Sequence, residues 1–195
     1  MMQAMKVKKL VLASSSPRRR ELLEAVGLTF VVDPADIHED MTRKLPAREL
    51  VKKLAEEKAE AVAARHPDAI VLGADTVVSL GKNSWSKPES KKEARMMLGS
   101  LSGKTHEIWT GFCIIDTQKK KRTVRAVKTR VTFRALSQAD IDRYIATGEY
   151  DGAGSYQLQR GGNVLTAKIN GDYNNIVGLP LDAVLGELKK FEIRA

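Results

Sequence analysis

The sequence predicts an α/β fold built on one mixed sheet with flanking helices, and three observations carry that prediction. Short apolar runs rich in valine and isoleucine alternate with longer stretches whose apolar residues recur at helical spacing. The two kinds are interspersed without the strict alternation of a purely parallel sheet, and two strand-like runs follow one another directly around residue 120. Apolar residues make up 43% of the 195 and charged residues 29%, which is a globular composition. No repeat or low-complexity tract divides the chain, so residues 1–195 read as a single domain.

Residues 7–13 read as a short buried strand and residues 17–26 as a helix, with Ser16 placed to cap it, Pro17 at its first position and Gly27 past its end. Residues 28–32 are a second strand. The longest helical pattern, residues 46–66, carries Leu50, Val51, Leu54, Ala61 and Val62 on one stripe and stops at Pro67. Residues 69–80 are apolar and β-branched, interrupted by Gly73-Ala74-Asp75. A helix over residues 88–101 turns Ala94, Met97, Leu98 and Leu101 inward.

Residues 106–115 and 123–134 form a hairpin around a loop at 116–122. Its second strand sends Val127, Thr129, Val131 and Phe133 to one face and Lys128, Arg130 and Arg134 to the other. Ser137 and Asp140 have capping-box spacing at the head of a helix over 137–146. The Gly-rich stretch 147–175 shows one strand, at 164–169, and an amphipathic helix over 180–191 closes the chain.

Thirty-three Lys and Arg against 24 Asp and Glu give a net charge of +9, which favours polyanionic partners: nucleic acid, an anionic membrane surface or a nucleotide. Aromatic residues, at 5%, offer few rings for stacking single strands. No apolar run approaches the roughly 18 to 20 residues of a membrane span, and no signal-peptide pattern follows the basic N-terminal residues. Cys113 is the single cysteine and there are three histidines, so neither an intrachain disulfide nor a structural zinc site is expected. A soluble, cytoplasmic protein is the expectation.

Five places carry chemistry. Ser14-Ser15-Ser16-Pro17-Arg18-Arg19-Arg20 stands at a strand-to-helix junction, where backbone N–H groups, hydroxyls and guanidinium forks can hold phosphate. Three arginines in a first turn oppose the helix dipole, a cost that an anion offsets. Asp75 interrupts an apolar run, as a turn residue or as a carboxylate held by a metal or a hydrogen-bond network. Glu39 and Asp40 lie in a polar loop with Asp36 and His38. Lys58 falls on the inward stripe of its helix, either snorkelling to the core's edge or pointing into a cleft. Lys87 precedes Pro88 in an otherwise uncharged segment. The run Gly99 to Thr105 is no P-loop: too few residues separate its glycines, Leu98 stands where glycine is required, and a strand follows. Gly152-Ala153-Gly154 likewise lacks a third glycine, Gln157 standing in its place.

In order, these segments resemble the Maf family of septum-formation-inhibitor-like nucleoside triphosphate pyrophosphatases. The resemblance rests on Leu12-Ala-Ser-Ser-Ser-Pro-Arg-Arg19, Asp36-Ile-His-Glu39, Leu54-Ala-Glu-Glu-Lys58-Ala, Gly73-Ala-Asp-Thr-Val-Val78 and Lys87-Pro88. It continues through Ser102-Gly103, His106-Glu107, Thr110-Gly111, residues 144–149 and 151–159, and Gly171 to Pro180. It implies an elongated, two-lobed fold of the Maf and inosine-triphosphatase kind with a central nucleotide cleft, commonly a homodimer.

It also implies roles. Asp75 would be the catalytic carboxylate, and Glu39 with Asp75 would hold a divalent cation, magnesium or manganese. Lys58 and Lys87 would neutralise charge, while Ser14, Arg18 and Arg19 would contact triphosphate and base. Arg18, Thr76 and Gln159 resemble the dTTP/UTP branch, because the 7-methyl-GTP branch has tryptophan at the position of Arg18 and glutamine at that of Thr76. The expected reaction cleaves dTTP, UTP or modified pyrimidine triphosphates to the monophosphate and pyrophosphate. The competing expectations are a 7-methyl-GTP pyrophosphatase, and a nucleic-acid-binding or cell-division regulator working through the basic hairpin from Lys119 to Arg134. The chain departs from the family pattern at three positions: Gly152 replaces a lysine, Gln157 a glycine and Arg160 a glycine.

Overall fold

The structure, a computed structural model, describes residues 8–194. Residues 1–7, including Val7 at the head of the first expected strand, lie outside the described residues, as does Ala195. The strands are β1 (Lys9–Ala13), β2 (Phe30–Val32), β3 (Ala69–Leu80), β4 (Asn83–Trp85), β5 (Thr105–Asp116), β6 (Lys121–Phe133) and β7 (Thr166–Asn170). The helices are α1 (Pro17–Ala25), α2 (Ala47–Ala63), α3 (Lys91–Leu101), α4 (Gln138–Ala146), α5 (Tyr173–Val177) and α6 (Leu181–Leu188).

One mixed sheet runs β2-β1-β3-β5-β6-β7, with β4 added to β3. The β2, β1 and β3 strands are mutually parallel and the remaining pairings antiparallel. The chain leaves β1 for β2 on one side and returns to β3 on the other, so strand order reverses at β1. A crevice is expected outside the carboxyl ends of the strands at such a reversal. Register creates it here. β1 pairs with β3 only as far as Ala13 opposite Gly73, and β4 takes up β3 again at Val78. The edge of β3 at residues 74–77 is left without a strand neighbour.

Side chains alternate across β3. Val71 packs with Ala55, Ala59 and Val62 of α2, and Val77 with Leu50, Val51 and Leu54. Ile70, Leu72 and Ala74 face a core shared with Leu23 of α1 and Val184 and Leu188 of α6. Val78 enters a separate core with α3, α4 and the Tyr156–Leu158 segment. The helix α2 sits unusually close to the sheet because two strand positions have no side chain. A Cβ on Gly73 would stand 2.5 Å from the Ala55 carbonyl oxygen, and one on Gly111 would overlap the Val51 backbone.

Several boundaries differ from the sequence expectation, each for a physical reason. The 69–80 run is one unbroken strand: Asp75 is no turn residue, because β5 pairs it with Gly111 across an intact ladder. Ser16 occupies the N-cap of α1, but its side chain makes no capping bond; the Oγ of Ser14 accepts from the Ser16 N–H instead, at 3.3 Å. Helix α3 starts at Lys91, where the Ser90 Oγ accepts from the Glu93 N–H at 3.2 Å. Strand β7 starts at Thr166, after a 3₁₀ turn that takes in Val164. β4 and α5 were not expected. The Ser137–Asp140 capping box is present in both directions. Among the described residues no helix is long and apolar enough to cross a membrane.

Candidate active site

The cleft opens over the bare edge of β3, and all nine candidate residues named above border it. Its acidic wall comes from β3 and the loop between β2 and α2, bridged by a lysine of α2. Because α2 lies on bare glycine backbone, the inward Lys58, only 8% exposed, reaches the strand. Its Nζ stands 2.6 Å from Asp75 Oδ1 and 2.7 Å from Glu39 Oε1. Lys58 therefore points into the cleft rather than snorkelling outward. Asp75 is buried, and its second oxygen, Oδ2, has no hydrogen-bond partner. Burial raises the Asp75 pKa, with Glu39 adding to the rise and Lys58 and Arg19 opposing it. Asp40 is occupied locally, accepting from the Thr42 N–H and hydroxyl at 3.0 and 2.6 Å, and shapes the loop that carries Glu39.

The basic wall begins on α1, whose three arginines part company. Arg20 pairs with Glu24 at 3.3 Å on the solvent side. Arg19 turns inward and is buried, donating from Nε to the Gly178 carbonyl (2.8 Å), from Nη1 to Ser14 Oγ (3.0 Å) and from Nη2 to Thr76 Oγ1 (3.2 Å). All three acceptors are neutral. Burial pulls the Arg19 pKa below its ordinary value, with Asp75 opposing. Thr76 hands its own hydrogen bond to Thr110 (3.0 Å), which donates to the Asn175 carbonyl at 2.8 Å. Asn175 is fixed in turn by donation to the Ile108 carbonyl and Thr129 Oγ1.

Arg18 reaches the opposite side, donating from Nη1 to Gln157 Oε1 at 2.9 Å and to the Asp151 carbonyl at 3.3 Å. The exposed Lys87 ammonium lies 3.2 Å from the Asp151 carboxylate. Gln159 borders the cleft but is exposed. Sequence reasoning did not assign Gln157, Thr110 or the Asp151 and Gly178 carbonyls to the site. Gln157 was visible as a departure from a family pattern; the carbonyls leave no trace in residue type.

Among the described residues no group of three or more His, Cys, Asp or Glu side chains is placed to hold a metal ion. Glu39 and Asp75 meet at the Lys58 ammonium, and the buried Asp75 Oδ2 keeps no hydrogen-bond partner of its own. The basic hairpin is largely neutralised from within. Arg122 pairs with Glu56 and Glu60, Arg125 with Glu187, Lys128 and Arg130 with Glu107, and Lys119 with Glu192.

A strand-order reversal with cations on one side and a carboxylate pair on the other is the architecture of a protein suited to a multiply charged anion. The comparisons make the assignment specific. The family described as Maf-like protein matches residues 9–191, and the chain belongs to the Maf family. It is 49% identical over 174 residues to the dTTP/UTP pyrophosphatase of Moorella thermoacetica, covering 89% of this chain and 90% of that one. It is 44% identical to the dTTP/UTP pyrophosphatase of Bacillus anthracis, covering 96% and 97% respectively. Among solved structures, the Ham1 protein of Staphylococcus aureus shares the fold, with a TM-score of 0.52 at 14% identity over 92% of this chain and all of that one.

Proposed function

We propose that this protein is a nucleoside triphosphate pyrophosphatase that cleaves dTTP and UTP, and modified pyrimidine triphosphates of the same shape, to the monophosphate and pyrophosphate. The observation that carries the reading is the buried Asp75 carboxylate, held at one oxygen by Lys58 and bare at the other, across the cleft from Arg19. Water must attack while the anhydride bond between the α and β phosphates breaks. The proton released by that water goes to Asp75, whose Oδ2 makes no other hydrogen bond. Lys58 keeps Asp75 oriented and balances its charge.

Arg18, Arg19 and Lys87 supply positive charge where the pyrophosphate leaves, and Ser14 fixes the Arg19 guanidinium. Positioning of this sort is the main contribution a protein makes to phosphate chemistry. Glu39 and Asp75 would hold a magnesium or manganese ion, which when bound neutralises phosphate charge and polarises the attacking water. Arg18, Thr76 and Gln159 support a pyrimidine rather than a 7-methylguanine base. The internal pairing of the hairpin cations weighs against a nucleic-acid surface there. The cytoplasm, where nucleotides are made and used, is the setting this reading implies.

The test is pyrophosphate release by purified protein at substoichiometric concentration, with dTTP, UTP and 7-methyl-GTP compared in magnesium and then in excess chelator. We expect release from dTTP and UTP that stops on chelation. Release from 7-methyl-GTP alone, or none from any nucleotide, would overturn the reading.

A further inference from the structure

Arg18 is anchored by a loop of the second core rather than by its own helix. The anchor is Gln157, only 7% exposed, in the segment between α4 and β7. Its Oε1 accepts from Arg18 Nη1 at 2.9 Å, and its Nε2 donates to the Asp151 carbonyl at 3.2 Å. That carbonyl also accepts from Arg18 Nη1, at 3.3 Å. Both hydrogens of Nη1 are thereby used, and the three groups close a small ring of hydrogen bonds. Among the described residues the Nε and Nη2 hydrogens of Arg18 have no partner, which leaves the side-on edge of the fork for two oxygens of one anionic group.

We infer that Gln157 is a positioning residue: it fixes Arg18 by one nitrogen so that the opposite edge of the guanidinium meets a phosphoryl group of the triphosphate. The inference rests on the proposed activity for the identity of that anion. A Cβ on Gly152 would overlap the Tyr156 carbonyl oxygen and come within 3.2 Å of Gln157 Cγ. The Tyr156 backbone is the main obstruction, so the turn that presents Gln157 to Arg18 requires glycine at 152. Here the arginine of α1, held from across the cleft, is the fixed cation of this corner.

Gln157 acts through Arg18, so the decisive measurement is a double-mutant cycle of Arg18→Ala with Gln157→Met, which keeps the bulk and removes both hydrogen bonds. For dTTP, Gln157→Met is expected to raise KM about tenfold while kcat stays within about twofold, the pattern of lost uniform binding. In the Arg18→Ala background the same change should cost nothing further. Inorganic tripolyphosphate, bound in calorimetry without turnover, should show the same non-additive loss of affinity. An unchanged KM, or an equal penalty with and without Arg18, would overturn the inference. Gln157→Gly, which restores the residue of the family pattern, gives the same readings should the methionine variant fold poorly. If wild-type protein releases no pyrophosphate, the activity falls, and tripolyphosphate affinity alone decides the role of Gln157.

Discussion

The Lys58–Asp75 pair of the acidic wall rests on the protein core, whereas the Lys87–Asp151 pair of the basic wall rests on loops. Lys58 and Asp75 are buried and belong to a helix and a strand packed at close range. Lys87 and the Asp151 carboxylate are both more than half exposed. The difference teaches where rigidity is needed. In the proposed reaction a base and its partner keep one geometry throughout, while groups that receive an arriving polyanion gain from being open to solvent. Charge pairs in the first setting are strongly coupled; in the second they are screened and individually weak.

Three substitutions break or sharpen this contrast. Asp75→Asn should have the largest effect, lowering turnover by roughly 100-fold or more while circular dichroism and the melting profile stay near wild type. Near-normal turnover would remove Asp75 from the chemistry and with it the distinction between the walls.

Lys58→Met should come next, reducing stability by about 3 kcal/mol because a buried carboxylate loses its partner, measured by urea denaturation. The pH behaviour gives the sign. The Asp75 pKa is already raised by burial, so its contribution to stability is present at low pH and is lost as pH rises through that value. Removing Lys58 takes away an opposing influence and raises the pKa further. The acid limb of kcat/KM should therefore move to higher pH in Lys58→Met, and the stability deficit should shrink as pH is lowered.

Lys87→Ala should have the smallest effect on the fold, within about 0.5 kcal/mol, since its pair with Asp151 is exposed. Turnover should still fall, by about tenfold, through lost stabilisation of the leaving pyrophosphate. Equal stability losses for Lys58→Met and Lys87→Ala would erase the contrast.

The contrast also explains what the sequence disclosed. Lys58 and Asp75 were legible because each breaks a pattern, a cation on an apolar helical stripe and a carboxylate in an apolar strand. The long strands and helices were legible from periodicity. β4 and α5, with three and five residues, are too short to show a period. The ring around Arg18 joins residues remote in sequence through one side-chain amide and one backbone carbonyl, and neither has a local signature. Ser16 stands at the N-cap as its position suggests, but its side chain makes no capping bond, and residue type alone does not report that.

The bare backbone at Gly73 and Gly111 has a consequence for how this protein can vary. These two hydrogens act as spacers of zero thickness, and the reach of a lysine stem is matched to the gap they leave. A single methyl at either place would lift the overlying helix and pull the ammonium away from its two carboxylates. Such a variant could retain its architecture and still be silent as a catalyst, so tolerance to mutation here is set by clearance between backbones rather than by any group that touches a nucleotide.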